Sequence, residues 1–112
     1  MKRIAACLAL LATLFASQVA VASQSGPAQA SATKTVDISH FEFHPPRLEV
    51  AKGTRVIFSN SSGTAHTATD KGVFDSGHIK PGHTFAVRFE QKGTFSYHCK
   101  IHPFMHGKIV VG

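Results

Sequence analysis

Apolar and polar positions alternate in short runs from Thr35 to the C-terminus. Val36 and Ile38 alternate with Thr35 and Asp37, Leu48 and Val50 follow Pro45-Pro46, Val56 and Phe58 alternate with Arg55 and Ser59, and Phe85, Val87 and Phe89 alternate with Ala86, Arg88 and Glu90. A period of two puts successive side chains on opposite faces, so each run predicts a half-buried β-strand. Gly, Pro and Asn break the runs, and no long helical period appears. The expected fold is all-β, a small Greek-key β-sandwich or barrel. Gln91-Lys92-Gly93 turns the chain into a run in which Phe95, Tyr97 and Cys99 share one face and Thr94, Ser96 and His98 the other. Cys99 is therefore expected at the interior end of a strand, with His98 pointing away. Gly107 to Val111 predicts the closing strand. Ala68 to Pro81 is the least regular stretch, with Phe74-Asp75-Ser76-Gly77 and Lys80-Pro81-Gly82 reading as turns around a short strand.

The first residues have a different pattern. Lys2-Arg3, the apolar run Ile4 to Ala16 and the small residues Ala20-Val21-Ala22 have the three regions of a secretory signal, with cleavage expected after Ala22 and a second candidate site at Ala28-Gln29-Ala30. The run is too short to cross a bilayer comfortably, so no stable membrane anchor is expected. Ser23 to Lys34 is rich in Ser, Ala, Gln, Gly and Pro and reads as a flexible leader. The expected organisation is a signal peptide over 1–22, a leader over 23–34 and one domain over 35–112, exported to the periplasm as a monomer.

Export changes the accounting of charge and cysteine. The formal charge of +6 falls to +4 once Lys2 and Arg3 leave, since ten basic residues then face six acidic ones. That excess is scattered and no recognition helix is evident, so a nucleic-acid partner is not expected despite the high isoelectric point. Of the two cysteines, Cys7 leaves with the signal and Cys99 remains, which excludes an internal disulfide. At about eighty residues the domain buries only a thin core, consistent with its frequent Phe.

The chemistry is concentrated in Tyr97-His98-Cys99-Lys100-Ile101-His102-Pro103-Phe104-Met105, where a thiol, an imidazole and a thioether recur at equal short intervals. Alone, Cys99 would read as a small buried core residue, Met105 as core filler and His102 as one surface histidine among eight. Together they suit copper cycling between two oxidation states better than zinc. A second imidazole is available in His66, just after the run Thr54 to Ser59. Two His, one Cys and a weak axial Met make a blue-copper electron-transfer site, with one copper ion held by His66, Cys99, His102 and Met105. Such a site leaves no clear open position for substrate, and no enzyme is expected. A nucleophilic Cys99 would need an orienting third group and a cleft that so small a chain hardly offers. A copper oxidase would need His-x-His pairs, and none occurs. A periplasmic copper carrier or copper-resistance protein is the alternative. His40, His44, His78, His83, His98 and His106 are expected in turns or on outward strand faces. Pro103 and Phe104 are expected to form, with the edge of His102, an apolar patch for partner docking.

The chain resembles the cupredoxins, and its Cys99-x-x-His102-x-x-Met105 loop with Pro103-Phe104 is similar to that of the amicyanins. The resemblance runs over about residues 35–112, through Phe41-Glu42-Phe43-x-Pro45, Leu48-x-Val50-x-x-Gly53-x-x-Val56-x-Phe58-x-Asn60 and Gly93-Thr94-Phe95-x-Tyr97-His98-Cys99. It strengthens the assignment of His66, which spacing alone leaves less certain than His102. It also implies a supporting role for Asn60 and Thr67 behind the ligands. Ala65 stands where the plastocyanin and amicyanin pattern has Pro, and Thr67 where it has an Asn that ties the two ligand loops together. Thr67 offers a backbone N–H for the Cys99 sulfur and a hydroxyl for the other loop. The resemblance further implies redox protein partners, with a dehydrogenase as electron donor and a c-type cytochrome as acceptor.

Overall fold

The computed structural model describes residues 32–112. The expected signal peptide, 1–22, and residues 23–31 of the expected leader lie outside the described residues. The described chain forms strands β1 (Thr33–Ser39), β2 (Glu42–His44), β3 (Arg47–Val50), β4 (Thr54–Asn60), β5 (Thr69–Asp70), β6 (Phe74–Asp75), β7 (Thr84–Phe89), β8 (Gly93–His98) and β9 (His106–Val111), with no helix among the described residues. They build two sheets, one in the order β2-β1-β4-β7 and the other β3-β9-β8-β5-β6. The all-β sandwich expected from the alternation is the fold observed.

The first strand starts at Thr33, two residues earlier than the alternation suggests. Thr33 and Lys34 are exposed, yet they pair in parallel with Arg55 and Val56 of β4. Backbone pairing thus continues past the point where side chains carry any pattern.

Inward positions follow the predicted periodicity. Val36 and Ile38 of β1, Val56 and Phe58 of β4, Tyr97 of β8 and Ile109 of β9 are all buried. Tyr97 stands nearly perpendicular to Phe43 and Phe58, with ring centroids 4.7 and 5.1 Å away. Each such side chain contributes on the order of 1.5–3 kcal/mol when fully buried.

Two features of this frame position the site. First, β8 and β9 pair from Gly93↔Val111 up to His98↔His106, so the seven residues between His98 and His106 form a loop whose two ends are fixed beside each other. Second, β1 and β2 are joined through His40-Phe41, both in the left-handed region at φ 52° and 58°, with Ser39 paired to Glu42. A two-residue connection favours positive φ at both positions, where Asn and Gly are the usual occupants. Non-glycine residues held there cost on the order of 1–3 kcal/mol each.

Candidate metal centre

Cys99 is the first residue beyond β8 and is fully buried, on the Phe95–Tyr97 side of the strand, as period two predicts. Its N–H donates to the Met105 carbonyl at 3.1 Å, and the Met105 N–H donates to the His102 carbonyl at 2.9 Å. The loop is thereby closed on itself by backbone bonds.

His66 arrives from the other direction, after β4, and is held by its own main chain. Its N–H donates to the Ile79 carbonyl at 3.2 Å, and the Ile79 N–H donates back at 2.7 Å. Buried Asn60 secures both segments. Its amide nitrogen donates to the carbonyls of Thr64 and Ile79, both at 2.8 Å, while its amide oxygen accepts from the Ser62 N–H at 2.9 Å and the Ser62 hydroxyl at 2.6 Å. An amide with its donors and acceptor occupied in this way is a rigid staple rather than a buried liability.

Thr67 joins the two segments. Its N–H donates to Cys99 Sγ at 3.3 Å, and its hydroxyl oxygen accepts from the Lys100 N–H at 2.8 Å. A threonine here reaches across to the other loop with a hydroxyl in place of an amide.

Three donor atoms converge between these segments. Cys99 Sγ lies 3.8 Å from His66 Nδ1 and 3.7 Å from His102 Nδ1, and the two nitrogens are 3.2 Å apart. Transition-metal bonds of about 2.0–2.1 Å to nitrogen and about 2.3 Å to sulfur, arranged in a trigonal plane, set N···S edges of about 3.8 Å and an N···N edge of about 3.6 Å. The donor triangle therefore has the size that a single ion would span. Thr64 Oγ1 lies 3.2 Å from His66 Nε2. With Nε2–H donating to that hydroxyl, the lone pair of Nδ1 faces Cys99. Burial pushes the His66 imidazole below its ordinary pKa, and the neighbouring His102 pushes it further in the same direction. Both effects favour the neutral ring that a metal requires. Met105 is buried against the same core, while His102 is half-buried at the surface. Among the described residues His66, Cys99 and His102 are the one group of three or more His, Cys, Asp or Glu side chains close enough to hold a metal ion.

The remaining histidines are not brought to this point. His40, His78 and His83 lie outside the strands and His44, His98 and His106 lie on them, none within the donor cluster. Pro103 and Phe104 are exposed, and Phe104 shows 68% of its surface. Two further residues touch the His66 or His102 ring without having been assigned a site role from sequence: Thr64, described above, and Phe41. The Phe41 ring stands at 80° to both imidazoles, with centroids 5.7 Å from His66 and 5.1 Å from His102, and 6.4 Å from Phe104. Thr64 carried a weak signal in its place two residues before His66. Phe41 was part of the motif Phe41-Glu42-Phe43-x-Pro45, but its approach to the imidazoles depends on the β1–β2 turn and had no signal of its own.

Comparison with known proteins gives a consistent set of relatives. The model of the cupredoxin-like domain matches residues 5–111. Amicyanin-alpha of Methylorubrum extorquens is 30% identical over 118 aligned positions covering 99% of each chain. The chloroplastic plastocyanin of Fritillaria agrestis is 34% identical over 81% of this chain and 68% of its own. Among solved structures, a reduced Cu(I) form of an amicyanin mutant at pH 4 superposes with a TM-score of 0.66 at 32% identity, over 70% of this chain and 80% of that one. A purple cupredoxin from Nitrosopumilus maritimus gives 0.65 at 25% identity, over 70% of this chain and 98% of its own.

Proposed function

The chain belongs to the cupredoxin family, and from that premise we propose that it is a periplasmic type 1 (blue) copper protein that shuttles single electrons between redox proteins. Amicyanins and plastocyanins are electron carriers rather than enzymes. The observation that carries the reading for this chain is the triangle of His66 Nδ1, Cys99 Sγ and His102 Nδ1, with edges of 3.8, 3.7 and 3.2 Å.

In this reading His66, Cys99, His102 and Met105 would hold one copper ion. The bound ion supplies the one-electron chemistry, accepting and releasing an electron between its Cu(II) and Cu(I) states. The residues around it supply rigidity. Asn60 and the Ile79 pairing fix His66, and the paired ends of β8 and β9 fix the loop of Cys99, His102 and Met105. Donor atoms anchored in this way move little between two charge states, which keeps the reorganisation needed for each transfer small. The Thr67 N–H stabilises negative charge on the Cys99 sulfur and ties the two segments at the point where charge changes most.

Pro103 and Phe104, beside the half-exposed His102, would form the docking patch for a redox partner. The resemblance to the amicyanins implies a dehydrogenase donor and a c-type cytochrome acceptor, and the formal +4 of the cleaved chain favours acidic partner surfaces. The deciding experiment is the visible and EPR spectrum of the copper-loaded, cleaved protein beside Cys99→Ser. The unsubstituted protein is expected to be intensely blue, and the variant to lose that absorption with its reversible one-electron couple. A Cys99→Ser protein that stays blue overturns the assignment. A pale protein holding Cu(I) alone would favour the copper carrier.

A further inference from the structure

We propose that Phe41 is the residue that positions the His102 imidazole, an inference resting on the copper reading of the centre. The two histidines are held in different ways. His66 is locked by backbone pairing with Ile79 and by the Thr64 hydroxyl on its Nε2. His102 sits in a surface loop, and its Nδ1 faces Cys99 Sγ and His66 Nδ1. Among the described residues its Nε2 has no hydrogen-bond partner from the protein. No protein group therefore orients this imidazole through a hydrogen bond to its far nitrogen.

Aromatic packing takes its place. Phe41 stands at 80° to the His102 ring at 5.1 Å, and Phe104 flanks the same ring at 6.1 Å and 61°. Edge-to-face geometry of this kind fixes ring orientation as well as position. Phe104 is itself exposed and belongs to the loop that has to be held, so it cannot anchor that loop from outside. Phe41 can, because it projects from a turn clamped by the Ser39↔Glu42 pairing of the opposite sheet.

Neither burial nor backbone preference accounts for Phe41 otherwise. It leaves 46% of its surface exposed and sits at φ 58°, where Gly or Asn would be unstrained. Every aromatic or imidazole ring it packs against belongs to this centre: His66, His102 and Phe104. A bulky residue kept in an unfavourable conformation, with all its ring contacts at one site, points to a role at that site.

The test compares Phe41→Gly with Phe41→Tyr. In the copper-free protein, NMR of the unsubstituted chain should show contacts between the Phe41 and His102 ring protons and an ordered His102 ring. Phe41→Gly should free that ring and raise the Cu(II) dissociation constant roughly tenfold, the scale of lost support behind a metal ligand. Its copper-free melting temperature should not fall in step, because glycine relieves the left-handed backbone. Phe41→Tyr should restore both ring order and affinity. Unchanged ring order and affinity in Phe41→Gly overturn the proposal, as does a loss that only tracks melting temperature. If the unsubstituted protein takes up no copper with strong blue absorption, the copper reading fails and this inference with it. A blue protein whose His102 stays ordered without Phe41 overturns this inference alone.

Discussion

Gly107 has no room for a side chain, because a Cβ there would overlap Oη and Cζ of Tyr97, its partner across the β8–β9 ladder. The two residues stand on either side of the metal loop, Tyr97 two positions before Cys99 and Gly107 two positions after Met105. Gly107→Ala should therefore destabilise the fold by about 1–3 kcal/mol, the range for overpacking a filled core. Because it pushes the strands apart next to the loop, it should also shift the visible spectrum of the copper-loaded protein. The same phenol is buried without a hydrogen-bond partner among the described residues, and burial pushes its pKa well above the ordinary tyrosine value. Tyr97→Phe should keep the ring contacts with Phe43 and Phe58 and remove an unsatisfied polar atom, so stability should hold or rise by up to about 1–3 kcal/mol. Thermal unfolding of the two variants checks both expectations, and a marked loss in Tyr97→Phe would mean that the hydroxyl has a partner.

The short elements β5 and β6 show how polar contacts do the work that alternation does elsewhere. Asp75 of β6 accepts from Lys100 Nζ at 2.6 Å, from the Gly77 N–H at 2.9 Å and from the Thr69 hydroxyl at 3.2 Å. Lys100 follows Cys99 directly, so this pairing ties the edge of the sheet to the start of the metal loop. The Lys100 ammonium, followed by the Gly77 N–H, holds the Asp75 carboxyl down at about 2. In the unfolded chain an aspartate carboxyl titrates at about 3.9, so the stabilisation is present above that value and is lost as pH falls from about 4 towards about 2. Asp75→Asn should flatten the acid limb of the melting temperature over that window and leave the curve above pH 5 parallel to that of the parent. An unchanged acid limb would assign the acid sensitivity to other carboxylates. These contacts also explain why the region between Ala68 and Pro81 was the least legible from sequence. Strands of two residues cannot display a period, whereas β4, β7 and β8 are long enough for alternation to locate their inward faces.

Over the whole molecule, legibility falls with the sequence distance that a contact spans. Cys99, His102 and Met105 could be read together because they share one loop, and the contacts of Thr67 could be anticipated only because the family resemblance set it in the place of the tying Asn. His66 needed the family resemblance, and Phe41 could not be found, because only the folded turn brings it against a ring from the far end of the chain. The same long-range frame determines what happens when copper is removed. None of the hydrogen bonds of Asn60, nor the pairing of His66 with Ile79, involves a metal. The copper-free protein should therefore keep its strand circular dichroism and fold cooperatively. Binding should then add stability by mass action alone, about 4 kcal/mol when free copper exceeds the dissociation constant a thousandfold. Asn60→Ala separates this picture from one in which the metal organises the fold. It removes one of the donors to each of the Thr64 and Ile79 carbonyls and the acceptor of the Ser62 N–H, at a cost of about 0.5–1.5 kcal/mol for each lost hydrogen bond, and it frees the segment that presents His66. Stability without copper and affinity for copper should fall together in this variant, with added copper recovering only part of the melting temperature. If the parent protein is instead unfolded without copper, or Asn60→Ala loses stability at unchanged affinity, the donors are gathered by the ion rather than held ready for it.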